Sequence, residues 1–333
     1  MNDVKTPKIN EIEQLIKQAD NSIKQIFDDP NEIKEYLNYL SKFYQYSPRN
    51  IVLIQNQFPG AKEVGSFTFW SKQNIKINKG EKGIGIISPQ INPDYIVVDD
   101  KRISINKVTS EQKQKIENGE IEVQKGVVTF KKNYVYDIEQ TNADIKELPK
   151  LAKVDKLTGN VTNYNSIYNS LNKIANDMNI SVDTSKNIGR TRGMYYPDLN
   201  HICLNERNSE IQNIKTFIHE LTHAKLHKNK NVGIVREELQ AEMTAYTVCN
   251  FLGIDTKEYS FNYINEYTKD AQIEDYDLLL KEVRDTSKVF IDTIKNDIEL
   301  DKQIEKTKEN NKIVIKEVRP ISNNRDMEYS LDR

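Results

Sequence analysis

Nine residues restrict most of what this chain can become: His219-Glu220-Leu221-Thr222-His223-Ala224-Lys225-Leu226-His227. Within them His219, Glu220 and His223 spell H-E-x-x-H. On a helix, positions i and i+4 share a face, so both imidazoles can converge on one metal ion. Glu220 follows the first histidine, where a carboxylate can reach a water on that ion. The chain carries four histidines in all, and three of them fall in this stretch. A residue so scarce rarely makes this pattern by chance, so the segment reads as the helix of a zinc hydrolase. Such a helix needs a second element to supply another ligand, and a cleft for the substrate.

Catalytic zinc usually has three protein ligands and one water. After the motif, residues 228–233 read as a loop, and a second helix starts near Arg236 and ends near Gly253. Glu238 and Glu242 lie four apart on one face of it, and either can complete the set. Glu237 points elsewhere and reads as a solvated or capping residue. His227 lies four residues after His223 with no glycine between, which excludes the longer H-E-x-x-H-x-x-G-x-x-H pattern. It reads instead as a cation near a helix C-terminus. The motif helix itself, roughly 209–228, should bury Ile211, Ile214, Ile218 and Leu221.

Upstream, Ile167, Leu171, Ile174, Ala175 and Met178 form a helical stripe, and residues 180–182 a short strand. Residues 193–196 and 201–204 flank Pro197-Asp198-Leu199-Asn200 and predict a hairpin with a polar turn. His201 reads as a side chain of that hairpin. Tyr195 or Tyr196 can polarise a substrate carbonyl or stabilise an oxyanion, although packing within the hairpin is the simpler reading of both. A strand beside the motif helix can also hold an extended peptide along its edge.

The first part of the chain has a different character. Residues 9–44 read as helical, with a break at Asp28-Asp29-Pro30-Asn31, and Ser47-Pro48-Arg49-Asn50 starts a third helix. Residues 64–137 look strand-rich, with 75–80, 83–87, 96–98, 127–130 and 134–136 as strands and 66–70 as a strand or a helix start. Residues 110–124 read as a charged excursion. From Lys42 to Gln90, seven basic side chains face two acidic ones, inside a chain of formal net charge −2. Phe43, Tyr44, Tyr46, Phe58, Phe67, Phe69 and Trp70 interleave with them. Basic groups can track a phosphate backbone while aromatic rings stack on unpaired bases. Arg49, Trp70, Lys72, Lys76, Lys79 and Lys82 are the candidates for that contact, against the plainer reading that most of these aromatics are core.

This region resembles a known family. Tyr46-Ser47-x-x-Asn50, Gln57-x-Pro59-x-Ala61, Trp70 and Lys79-Gly80-Glu81-Lys82-Gly83-Ile84 are similar to the N-terminal domain of ArdC-type antirestriction proteins. So is Tyr136-Asp137-Ile138-Glu139-Gln140-Thr141, and the likeness covers roughly residues 35–142. It implies a domain that binds single-stranded DNA, and plasmid, conjugative or integrative-element biology. In the second part, H-E-x-x-H followed by a helix with Glu238 and Glu242 resembles the gluzincin pattern. There the first glutamate binds zinc and the second acidic residue orients a ligand histidine. Glu238-x-x-Ala241-Glu242-x-x-Ala245 also resembles the helix of ImmA/IrrE-like metallopeptidases, in which asparagine at the second position would be a poor zinc ligand. On this likeness Glu238 is the ligand and Glu242 orients a histidine.

The expected fold is α+β: an N-terminal α+β single-stranded-DNA-binding domain over 1–145, a linker over 146–163, a zincin-like α+β metallopeptidase domain over 164–298 closed by two helices, and a charged, flexible tail over 299–333. Expected chemistry is zinc-assisted peptide hydrolysis with His219, His223 and Glu238 on Zn2+ and Glu220 as general base. Partners would be single-stranded DNA and a protein substrate, a restriction enzyme or a repressor. One rival is a non-proteolytic antirestriction protein whose zinc is structural; another is an ImmA-like protease that cuts a repressor. No run of about 18 apolar residues predicts a membrane span. Residues 1–20 lack an apolar signal core, and Cys203 and Cys249 do not make a disulfide framework, so a cytoplasmic location is expected.

Overall fold

The structure is a computed structural model that describes residues 7–143, 164–228, 232–256, 264 and 275–317. Helix α1 (Pro7–Ile26) buries Leu15, Ala19, Ile23 and Ile26, a stripe at helical spacing. Asp29 ends the turn that follows and caps α2 (Pro30–Phe43) by accepting the Asn31 N–H at 2.8 Å, with Pro30 at the first helical position. Ser47 caps α3 (Pro48–Gln57) in the same way. These helices cover an antiparallel sheet of order β1-β5-β2, made of β1 (Val64–Ser66), β2 (Ile84–Ile91) and β5 (Val128–Asp137). Asn50 locks α3 to the sheet: its side chain accepts the Ile87 N–H and donates to the Ile87 carbonyl, both at 2.8 Å.

Between β2 and β5 lie the hairpin of β3 (Tyr95–Val98) and β4 (Lys101–Ser104) and helix α5 (Ser110–Glu117). Asp99 and Asp100, at φ 49° and 60°, make the two-residue turn whose handedness suits paired strands. The expected strand-rich region therefore contains two helices as well. Residues 67–72 form α4 (Phe67–Lys72), because Ser66 accepts the Phe69 N–H and caps a turn instead of extending β1. The 110–124 excursion holds α5, started by a Thr109–Gln112 capping box. Residues 75–80 make only an isolated bridge, Ile77 to Thr141, and the two strands expected over 127–136 are one.

The second half starts with α6 (Tyr164–Asp177) and a mixed sheet of order β6-β8-β7. Strand β6 (Ser181–Lys186) runs parallel to β8 (His201–Asn205), and β7 (Gly193–Tyr196) is antiparallel to it, joined by the expected 197–200 turn. Two helices then pack together, α7 (Glu210–Leu226) and α8 (Ile234–Phe251). Residues 239–249 of α8 are buried without a break, as befits a helix covered on every side. A long helix, α9 (Tyr276–Glu317), lies against α6 and α8. It runs past residue 298, so 299–317 continue a helix where a tail was expected. The expected linker lies outside the described residues, as do 257–263, 265–274 and 318–333.

The two halves are not held apart. One hydrophobic core runs from Leu15 to Ile294 through both. Helix α2 packs on α8, where Asn38 Oδ1 accepts from the Tyr246 hydroxyl at 2.8 Å and from Asn250 Nδ2 at 3.2 Å. Asn250 Nδ2 also donates to Ser41 Oγ, and the Tyr44 ring meets Phe251 edge-on at 5.4 Å. Helix α9 adds Asp277 to Arg49 and Lys288 to Gln45. Among the described residues no helix is long and apolar enough to cross a membrane.

Candidate metal centre

Ser209 caps α7 by accepting the Gln212 N–H, and the buried side chains Ile214, Phe217, Ile218, Leu221 and Ala224 fix the rotation of the helix. That rotation turns His219 and His223 toward α8. Their Nε2 atoms lie 3.0 Å apart. Glu238, from the start of α8, spans the pair, with Oε2 at 3.4 Å from His219 Nε2 and Oε1 at 3.5 Å from His223 Nε2. A tetrahedral site with bonds of roughly 2.0–2.1 Å has donor–donor edges of about 3.3 Å. Two imidazoles and a carboxylate at these separations therefore fit a divalent cation, with one position left open. Such a set suits zinc and admits manganese.

Glu242 lies behind the pair. Its Oε2 is 3.3 Å from His219 Nδ1, the nitrogen turned away from the cluster, and its Oε1 is held by Lys215 Nζ at 2.6 Å. Both Glu242 and Lys215 are buried. Of the two carboxylates that the sequence offers, Glu238 faces both Nε2 atoms and Glu242 faces the rear of one ring. Burial alone would depress His219, but Glu238 and Glu242 lift it to about 10. His223 is pushed down to about 3 by burial and then by the charge on His219. Burial works to raise Glu242, yet His219 and Lys215 hold it near 2. Glu238 is lowered against its burial by His219. The cluster thus stabilises positive charge between two carboxylates.

Glu220 sits on the cleft side. Its Oε2 accepts the backbone N–H of Tyr195 at 2.8 Å, and burial raises its carboxyl above the ordinary value. The Tyr195 N–H therefore points away from β8, from the free edge of β7. Gly193 allows this close approach, since a Cβ there would fall 2.4 Å from Thr216 Cγ2. Two cavities meet at Glu220 and His219. One of about 430 Å3 is walled by Tyr195, Pro197 and His223, the other by Arg190, Arg192 and Lys215.

Tyr195 and Tyr196 separate here. Tyr195 lines the larger cavity and bonds Asn200 through its hydroxyl, while Tyr196 lies against the His201 ring and reaches neither cavity. His201 itself bonds Ser181 Oγ and belongs to neither group of described residues that could hold a metal. His227 stands at the C-terminus of α7, as expected, with its backbone N–H on the His223 carbonyl; burial lowers its imidazole, and its ring bonds His223 and Gln240. Glu237 accepts the N–H of Val232, the residue before Gly233, which is the N-cap of α8. Sequence reasoning missed Lys215, Arg190, Arg192 and the Tyr195 N–H, because nothing in local spacing marks a residue that serves another element.

In the first half, the structure takes Trp70 out of the expected contact set and pairs another candidate, Arg49, with two carboxylates. Trp70 is fully buried and its indole N–H donates to the Tyr136 carbonyl at 2.9 Å, so its ring cannot stack on a base. Arg49 is tied to Asp20 at 2.7 Å and Asp277 at 3.2 Å. Lys72, Lys76, Lys79 and Lys82 are exposed. A groove of about 660 Å3 runs between α2 and the β1–β5 edge, lined by Lys42, Tyr46, Phe67, Phe69 and Tyr134, with Glu63 also on its wall. Phe67, Phe69 and Tyr134 are exposed, and Lys132 Nζ lies 5.3 Å over the Tyr134 ring.

Residues 4–136 match the family described as the N-terminal domain of anti-restriction factor ArdC, and residues 175–249 the family described as the IrrE N-terminal-like domain. A Bacillus anthracis protein, uncharacterized protein pXO2-81, is 34% identical over 338 residues, which take in 94% of this chain and 57% of that protein. The chain thus spans little more than half the length of this curated relative. The metal-free crystal structure of antirestriction ArdC from plasmid R388 aligns at 16% identity and a TM-score of 0.42, over 76% of this chain and 85% of that one. The Mn(II)-bound structure of the same protein aligns at 14% and 0.44, over 84% and 97%.

Proposed function

We propose that this chain, which joins an ArdC-type N-terminal domain to an IrrE-like metallopeptidase domain, hydrolyses peptide bonds at a divalent cation, zinc by its donor set, and binds single-stranded DNA in its first half as an antirestriction factor of a mobile element. The observation that carries the reading is the set of His219, His223 and Glu238 donors at tetrahedral spacing, with Glu220 pinned beside it. A cation held by these three residues supplies Lewis acidity and lowers the pKa of a bound water.

The chain's own groups do the rest. The Tyr195 N–H holds Glu220 Oε2, which leaves Oε1 to take a proton from the attacking water and deliver it to the amine nitrogen as the C–N bond breaks. The free edge of β7 can align an extended peptide by main-chain bonds across the cleft. In the groove, Phe67, Phe69 and Tyr134 offer faces for unpaired bases, and Lys42 offers charge for a phosphate.

The test uses the full chain. Glu220→Gln should keep one bound zinc and lose cleavage of a quenched-fluorescence peptide library. Cleavage at the unaltered rate by that variant overturns the hydrolytic mechanism. If the variant still protects incoming DNA from restriction in cells, the DNA-binding half carries that protection by itself.

A further inference from the structure

We propose that His227 is the positioning residue of the candidate ligand His223, and that it anchors this ligand to helix α9 through Gln240 and Glu282. The inference rests on the metal-binding reading above, not on peptide hydrolysis. A run of hydrogen bonds carries it. His223 Nδ1 lies 3.1 Å from His227 Nδ1, and His227 Nε2 lies 3.0 Å from Gln240 Oε1. Gln240 Nε2 donates to Glu282 Oε2 at 2.7 Å, and Arg236 donates to the same oxygen at 3.1 Å.

Hydrogen-bond directions along this chain follow from its far end. Glu282 can only accept, so the Gln240 amide nitrogen faces it and the amide oxygen faces His227. That oxygen needs a donor, which puts the His227 proton on Nε2 and a lone pair on Nδ1. The lone pair in turn takes a proton from His223 Nδ1, leaving His223 Nε2 free to ligate. Nε2 is the nitrogen that faces His219 and Glu238. The relay therefore selects the ligating tautomer of His223, and every member is satisfied. Gln240 is 1% exposed, so no solvent competes at its centre.

The two candidate ligands are thus braced differently. His219 has a carboxylate directly behind it, on α8. His223 has a neutral imidazole and an amide, and only then a carboxylate, on α9. Along α9, Glu282 falls between Asp277 and Lys288, the residues that reach Arg49 and Gln45 in the first half.

The experiment measures Co2+ affinity of the full chain by competition with a chelator, together with the visible absorption of the bound ion. His227→Leu removes the acceptor and should lower affinity about 10- to 100-fold and alter the spectrum. His227→Asn places an oxygen near the site of Nδ1 and should restore affinity to within a few-fold. Glu282→Gln should fall between them, and Lys225→Ala, an exposed change on the same helix, should leave both readouts unmoved. Melting curves with the chelator present separate lost positioning from lost folding. Wild-type affinity and spectrum in a folded His227→Leu protein overturn the relay. Two equivalents of Co2+, the second lost in His227→Leu, also overturn it, since His227 would then be a ligand together with His223 and Glu237. No Co2+ bound by the unaltered chain overturns the metal reading itself, a distinct result.

Discussion

The cleft between β7 and α7 and the groove beside α4 use opposite building rules. In the cleft, Glu220, Glu242 and Lys215 are buried, and each functional group is held by a named partner: Glu220 by Tyr195 of β7, His219 by Glu242 of α8, and His223 by His227 at the end of its own helix. In the groove, Phe67 is 66% exposed and Tyr134 49% exposed, and no hydrogen-bond network among the described residues fixes their rings. Bond making needs groups fixed before the substrate arrives, because reorganisation adds to the barrier. Strand binding needs open faces that any base can cover. Fixation and exposure are thus the physical signatures that separate a reaction centre from a sequence-tolerant surface.

That contrast can be broken in several places. The largest effect is expected from Glu220→Gln, which should slow peptide cleavage by roughly 10²- to 10⁴-fold in a steady-state assay. Fluorescence anisotropy with a labelled single-stranded oligonucleotide should not change; a parallel loss of DNA binding would show that the two sites are not independent. Trp70→Ala should come next, costing about 3–5 kcal/mol in denaturant unfolding because it empties a fully buried indole site. Phe67→Ala should do the reverse, leaving stability within about 0.5 kcal/mol and weakening oligonucleotide binding by about 1–3 kcal/mol. If Trp70→Ala weakened DNA binding without lowering stability, the assignment of the groove would fail. A smaller effect is expected from Lys42→Ala, at a residue on the groove wall, which should flatten the log–log salt dependence of DNA binding by about 0.7 for each phosphate that is no longer neutralised. Hydrolysis should show no such dependence on Lys42.

These differences also explain which parts were legible in the sequence. A metal site demands particular residue types at helical spacing, so His219, Glu220 and His223 could be read directly and Glu238 and Glu242 narrowed to a pair. Choosing between those two needed the packing of α7 on α8, which decides which carboxylate faces the Nε2 atoms. His227 does sit at the helix end that its spacing suggests, but the bond from its ring to Gln240 depends on a partner 13 residues away. The groove was harder. Lysine and aromatic residues recur throughout the chain, and only burial sorts Trp70 from Phe67, three positions apart. Ser66 turns the chain into α4 at that point, and in that helix Trp70 is buried while Phe67 and Phe69 are exposed. Residues 299–317 look like a tail by charge alone, yet they continue α9, whose earlier turns are anchored by Leu279, Leu280, Val283, Phe290 and Ile294.

Helix α8 carries Glu238 near one end and Tyr246 and Asn250 near the other, where both donate to Asn38 of α2. This seam limits how the gene can recombine. A crossover between the coding regions of the two halves would pair an unrelated α2 with this α8, and each buried polar group left without its partner would cost about 1–3 kcal/mol. Chimeras between diverged relatives should therefore be selected against unless the residues at positions 38, 41, 246 and 250 travel together. Inheritance would follow the packing, and the halves would be transmitted as one block.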